Sequence, residues 1–135
     1  MSEFAGKWKL VEQENLDIML SAFSVSEEQK KKLLNTMTIE YISVGPQQIR
    51  ICSPLYFSPG EIDLTFGEEF DQTGIDGTMI KAIVEKPSDR KLVYTQKHPI
   101  LRVVTTSEIK DGFNVMVISC LGMKATLKFQ RIQVE

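Results

Sequence analysis

From Thr38 onward turn signals recur about every ten residues, and this rhythm constrains the fold more than any other feature of the chain. Gly45-Pro46, Pro59-Gly60, Asp76-Gly77, Pro87-Ser88-Asp89 and Asp111-Gly112 carry the residue types that tight turns require. The segments between them are short and rich in Ile, Val, Thr, Tyr and Phe, which suit a pleated, half-buried surface. Such spacing is typical of antiparallel barrels and sandwiches. The last segment is the cleanest. Ala125, Leu127 and Phe129 share one face, and Thr126, Lys128 and Gln130 share the other, as expected of a strand with one dry side.

The chain ahead of Thr38 reads differently. Residues 6–12 form a first strand, with Trp8 and Leu10 on one face and Lys7 and Lys9 on the other. In residues 15–23, Leu16, Met19, Leu20 and Phe23 recur at three- and four-residue spacing, which draws one apolar helical stripe. Ser26 is a candidate N-cap for a second helix. Gln29 completes a capping box, and Glu27 and Glu28 favour the positive end of the dipole. Asn35, which tolerates the left-handed conformation of a helix stop, marks its end. One strand, two short helices and roughly nine further strands are therefore expected in a single domain over residues 1–135.

With 42% hydrophobic and 25% charged residues, the chain has the composition of a folded domain rather than a disordered one. Sixteen basic and eighteen acidic side chains leave no basic footprint for nucleic acid. No apolar run reaches the length of a membrane span, and Met1-Ser2-Glu3-Phe4 is not a signal peptide, so a cytoplasmic protein is expected. In that compartment Cys52 and Cys120 are expected as reduced thiols.

Four ordered segments carry a family resemblance across essentially the whole chain. They are Phe4-x-Gly6-x-Trp8-x-Leu10 with Asn15-Leu16-Asp17, then Phe66-Gly67-Glu68-Glu69-Phe70-Asp71, then Lys91-Leu92-Val93, then the Asp111-Gly112 turn. In this order and spacing the chain resembles the intracellular lipid-binding proteins, the family of fatty-acid- and retinoid-binding proteins. The resemblance implies an all-β fold: a ten-stranded antiparallel up-and-down β-barrel (β-clam) with a helix–turn–helix lid between the first two strands. Barrel closure removes sheet edges, so a monomer is expected. It further implies non-covalent binding and cytosolic transport of one small hydrophobic ligand, a long-chain fatty acid first. The alternatives are a neutral-headed or bulky lipid (retinoid, acylglycerol or bile-acid-like), or a protein-interaction scaffold whose barrel is empty or water-filled. No cofactor is implied.

Family register supplies the expected site. Phe57 stands at the portal aromatic position, with Ile51, Ser53 and Leu55 on the wall behind it. Leu16, Met19 and Leu20 face the cavity from the lid. Asp76 matches an acidic cavity position, and Thr78 stands where many members have an arginine. Tyr94, Gln96, Thr105 and Ser107 are expected to point inward, as are Met116, Ile118 and Cys120. The family's closing strand usually carries an Arg-x-Tyr pair that grips a ligand carboxylate; here those positions read Leu127 and Phe129. Ser107 resembles the liver-type and bile-acid-binding branch, and Phe129 the retinol-binding branch. The usual carboxylate clamp cannot form from these residues. An unpaired buried carboxylate costs several kcal/mol and tends to protonate.

Two registers stay open on sequence alone. A residue inserted between Ser119 and Lys124 turns Lys128 and Gln130 inward, at a cost of roughly 3–6 kcal/mol for exposing Leu127 and Phe129. Family register likewise points Glu40 inward, whereas Ile39 and Tyr41 are the more natural apolar pair. Several features have plain readings. Lys30, Lys31 and Lys32 form a solvated helix face or, on the resemblance, a contact for anionic membranes, where each surface lysine adds about 1 kcal/mol. His98, the only histidine, reads as an exposed loop residue with no second histidine for a metal site. Without a histidine partner, Ser53, Ser107 and Ser119 form no catalytic triad, so no enzyme is expected. Glu68, Glu69 and Asp71 read as surface charge, and Gly74-x-x-Gly77 is too short for a phosphate loop. Met19, Met37, Met79, Met116 and Met123 are either adaptable lining or core filling.

Overall fold

The computed structural model describes residues 3–22, 26–53, 61–73 and 78–132, without the side chains of 35 and 36. Phe23, Leu55, Phe57, Asp76 and the Gly74–Gly77 segment lie outside the described residues. The first strand, β1 (Gly6–Glu14), leads into two helices, α1 (Leu16–Ala22) and α2 (Glu27–Thr36). Nine strands follow: β2 (Thr38–Gly45), β3 (Gln48–Cys52), β4 (Glu61–Thr65), β5 (Phe70–Thr73), β6 (Met79–Ser88), β7 (Lys91–Lys97), β8 (Val103–Lys110), β9 (Phe113–Cys120) and β10 (Met123–Arg131). All ten strands form one antiparallel sheet in the order β4-β3-β2-β1-β10-β9-β8-β7-β6-β5. The expected ten-stranded barrel with a helical lid is therefore the observed fold.

The sheet closes through β1, which pairs with both β2 and β10. A register shift between Leu10 and Glu12 lets β1 bend from one partner to the other. β4 and β5 are neighbours in sequence but are not paired. Their connecting turn bridges the gap at one end: Phe66 N–H donates to Gln47 C=O and Gly67 N–H to Val84 C=O, each at 2.9 Å. Gly67 does so at φ +81°, a conformation that a residue with a Cβ rarely adopts.

Local chemistry accounts for the other elements. Asp111 and Gly112 have φ of 52° and 82°, the double left-handed signature of a two-residue hairpin between β8 and β9. Leu121 and Gly122 repeat it between β9 and β10, at 51° and 76°. That second tight turn, inside the Ser119–Lys124 segment, has leucine rather than asparagine or glycine at its first position. The pairing of β9 with β10 runs unbroken from Met123↔Cys120 to Gln130↔Phe113, so no residue is inserted in this hairpin. The Ser26 hydroxyl accepts the Gln29 N–H at 3.2 Å and starts α2 as its sequence requires. Asn15, at φ 68°, sets α1 against β10 and donates from Nδ2 to Lys124 C=O at 3.3 Å.

Alternation decides which side chains fill the barrel. Ile39, Tyr41, Ile49, Ile51, Leu64, Ile80, Ala82, Val84, Leu92 and Tyr94 are buried from the β2–β7 side. Val103, Met116, Ile118, Ala125, Leu127 and Phe129 are buried from β8–β10. Trp8 and Phe4 seal one end, where the indole N–H donates to Phe4 C=O at 2.9 Å and the Arg131 guanidinium lies 4.2 Å above the indole ring.

Candidate functional site

The inner face is apolar with two islands of neutral polar groups. The first island centres on Tyr41, fully enclosed between strands. Its hydroxyl accepts from Asn114 Nδ2 at 3.2 Å and is also hydrogen-bonded to Ser107. Burial pushes the Tyr41 phenol up to about 12, so the hydroxyl stays neutral. Asn114 is wholly buried, and its Oδ1 has no hydrogen-bond partner among the described residues. The second island centres on Tyr94. Its hydroxyl donates to Gln72 Oε1 and accepts from Gln96 Nε2 at 3.2 Å. Burial likewise raises the Tyr94 phenol far above its ordinary value. Between the islands lies a cavity of about 20 Å³, room for about one water molecule. Ile39, Tyr41, Ile51, Val84, Leu92, Tyr94, Thr105, Ser107 and Met116 line it.

The charge distribution is the second property of the site. All 16 lysines and arginines fall within the described residues, and Lys30 alone among them is buried. Lys30 belongs to the lid, where its ammonium meets Glu27 Oε1 and Ser21 Oγ, each at 2.6 Å. Half-buried Arg50 pairs with Asp63 at 2.6 Å, on the outer face beside inward Ile49 and Ile51. Half-buried Lys128 rests its ammonium 4.1 Å over the Phe113 ring, outside the barrel. The interior therefore contains no cation.

Most sequence-derived positions fall where alternation puts them. Leu16, Met19 and Leu20 are buried beneath the lid, and Ser53 continues the inward parity of Ile49 and Ile51. Thr105, Ser107, Met116, Ile118, Cys120, Leu127 and Phe129 are buried on the inner face, and Gln96 is half-buried beside Tyr94. The open registers resolve in favour of apolar burial. Ile39 and Tyr41 point inward, half-buried Glu40 does not, and Leu127 and Phe129 are fully enclosed.

Four expectations need correction. Thr78 shares the parity of inward Ile80 and Ala82 but precedes β6, and it is exposed. Met79 is neither lining nor core: it takes the opposite parity and is 65% exposed. Lys30 does not join Lys31 and Lys32 on an exposed face, because it joins α2 to α1 through Ser21. His98 is half-buried, and its Nδ1 accepts the N–H groups of Ile100 and Leu101 at 3.0 and 2.9 Å, which shapes the β7–β8 loop.

Glu69 pairs with Lys97, and Asp71 pairs with Lys81 at 2.6 Å, as surface charges do. Cys52 and Cys120 are free thiols, and burial raises both. Among the described residues no cluster of His, Cys, Asp or Glu is placed to hold a metal ion, and no helix is long and apolar enough to cross a membrane. The sequence reading missed Asn114 and Gln72. Extending the alternation of Met116, Ile118 and Cys120 back by two residues reaches Asn114, a polar residue at a core position.

No family model matches the chain. A fatty acid-binding protein of Clonorchis sinensis is 32% identical over 132 residues, covering 97% of this chain and 99% of the relative. The 14 kDa fatty acid-binding protein of Schistosoma mansoni is 34% identical over 123 residues, covering 90% and 91%. A solved structure of the Schistosoma mansoni fatty acid binding protein in complex with arachidonic acid superposes with a TM-score of 0.80 at 29% identity, covering 98% of each chain.

Proposed function

This chain belongs to the fatty-acid-binding protein family, and on that premise we propose that it binds a long-chain fatty acid inside the barrel without covalent chemistry and carries it through the cytosol. The observation that carries the reading is the inner face: an apolar wall interrupted by a few neutral polar groups, under a two-helix lid. Affinity comes from the chain. Each buried methylene contributes about 0.8 kcal/mol, so a sixteen-carbon tail gathers roughly 12 kcal/mol before the costs of association. Tyr94, Gln96, Thr105 and Ser107 orient the head or hold ordered water. Leu16, Met19 and Leu20 close the cavity from the lid, and Phe57 is assigned to the portal on family register. Binding, rather than catalysis, is the activity.

The missing interior cation favours a second reading, a carrier of a neutral-headed lipid. Native mass spectrometry of freshly purified protein, followed by lipid extraction, tests both. A single bound fatty acid is the expected result. A bound retinoid or acylglycerol would move the assignment to the second reading, and a protein that neither retains nor takes up any lipid would refute the carrier reading.

A further inference from the structure

The Tyr41 island has one open valence, and its sign is informative. Asn114 Nδ2 is committed to the Tyr41 hydroxyl at 3.2 Å, and that hydroxyl is also bonded to Ser107. What remains is Asn114 Oδ1, a buried acceptor with no donor among the described residues. Asn114 is wholly buried, and it lies two residues from Met116, which lines the cavity together with Tyr41 and Ser107. A carboxylate only accepts hydrogen bonds, so it cannot satisfy this oxygen. A carboxylic acid or an alcohol can, because each carries an O–H.

The surroundings give a carboxylate no other support. On the inner faces of the strands around the island, the titratable groups among the described residues are Tyr41, Tyr94 and Cys120, all neutral at pH 7. Glu40, Arg50, Glu108 and Lys128 belong to the outer faces of β2, β3, β8 and β10. Binding a fatty acid as the neutral acid at pH 7 sacrifices roughly 500-fold in affinity, since a carboxyl titrates near 4.3. Burying the anion without any cation sacrifices more.

We propose that Asn114, Tyr41 and Ser107 form a head-group site for a neutral hydrogen-bond donor, so that a fatty acid enters this barrel as the protonated acid. The inference rests on the carrier reading and names the form of the ligand. On binding, the carboxylate takes one proton from solvent and donates it as an O–H to Asn114 Oδ1. No bond within the ligand breaks.

Isothermal titration of delipidated protein with a sixteen-carbon acid, alcohol and methyl ester, from pH 6 to 9, tests it. The alcohol and ester should bind with flat pH profiles. Acid affinity should fall about tenfold per pH unit. Titrations in two buffers of different ionisation enthalpy should report uptake of one proton per acid bound. Asn114→Leu should erase the preference for alcohol over ester. Asn114→Ala, which also removes the acceptor, supplies the same comparison should Asn114→Leu fail to fold. A flat acid profile with no proton uptake would overturn the proposal and leave the carrier reading standing. Failure of all three lipids to bind would overturn both.

Discussion

Leu127→Arg places a cation where the closing strand has none, and the structure sets the size of the effect. Leu127 is fully enclosed, paired across the sheet with Met116 on one side and Gln13 on the other. Without ligand, the guanidinium is a buried charge with no partner, a situation worth about 3–5 kcal/mol of lost stability. For a chain of this size that lowers the melting temperature by roughly 10–20 °C. A fatty acid reverses the loss, because its carboxylate supplies the missing partner. A charge-assisted pair contributes about 1.5–3 kcal/mol, so acid should gain about 10- to 150-fold in affinity relative to an alcohol of the same length. Its pH dependence should flatten as well, since the bound acid can now ionise. The assay is thermal unfolding with and without a sixteen-carbon acid or alcohol at pH 7, beside Leu127→Met, a volume-conserving control expected to cost less than about 1.5 kcal/mol. An unchanged melting temperature for the ligand-free variant would mean that position 127 reaches solvent. Equal rescue by acid and alcohol would mean that it does not face the ligand head.

Leu121→Asn should raise stability by about 0.5–1 kcal/mol in chemical denaturation, because Asn tolerates the φ of 51° that exposed Leu121 adopts at little cost. Gly6→Ala should cost roughly 1–3 kcal/mol by the same measurement. Its φ is +124°, and an added Cβ would lie 2.7 Å from Nη1 of Arg131, which also donates to Ala5 C=O. The Tyr41 phenol is raised in the folded chain, so its contribution is full below pH 10 and is lost as pH rises through about 12. Over that window about 3 kcal/mol should vanish, and Tyr41→Phe, already less stable, should lose less across the same pH range in alkaline unfolding curves. Neutralising Lys31 should slow ligand transfer to anionic vesicles at low salt without changing melting temperature. Lys30→Met should instead lower it, because Lys30 holds Ser21 and Glu27.

The sequence made the strands legible because each buries one face, and burial enforces period two. Leu127 and Phe129 illustrate this: the register that hides both is the one adopted. The same principle settles Ile39 and Tyr41 against Glu40. Parity alone, however, does not say where a strand starts. Thr78 has inward parity but sits beyond the end of β6, so it meets solvent. Helical charge was harder still. Three consecutive lysines spread over just over half a helical turn, about 100° apart, so they cannot share one face. Lys30 consequently turns toward α1, while Lys31 and Lys32 stay exposed. Asn114 escaped notice because polar residues at core positions defeat a hydrophobicity reading. Tertiary partners such as Tyr41, 73 residues away, are invisible in a local window.

Affinity and selectivity separate in this barrel. Methylene burial does not distinguish head groups, so chain length sets how tightly a lipid is held. Choice among heads of equal chain length falls to Asn114, Tyr41, Ser107, Thr105, Tyr94 and the two glutamines Gln72 and Gln96, none of which carries charge. Every cation lies outside the barrel or on the lid, where it can attract an anionic surface but cannot hold an anionic head. A charged anchor would add its pairing energy to the ionised acid and reject alcohols. A neutral polar lining reverses that order and ties acid binding to pH. Acid should therefore bind more tightly at a mildly acidic surface, such as that of an anionic membrane, than in neutral bulk solution. The bound acid already carries its proton, so it can pass to a bilayer as the neutral acid, while low local pH favours uptake over release into water.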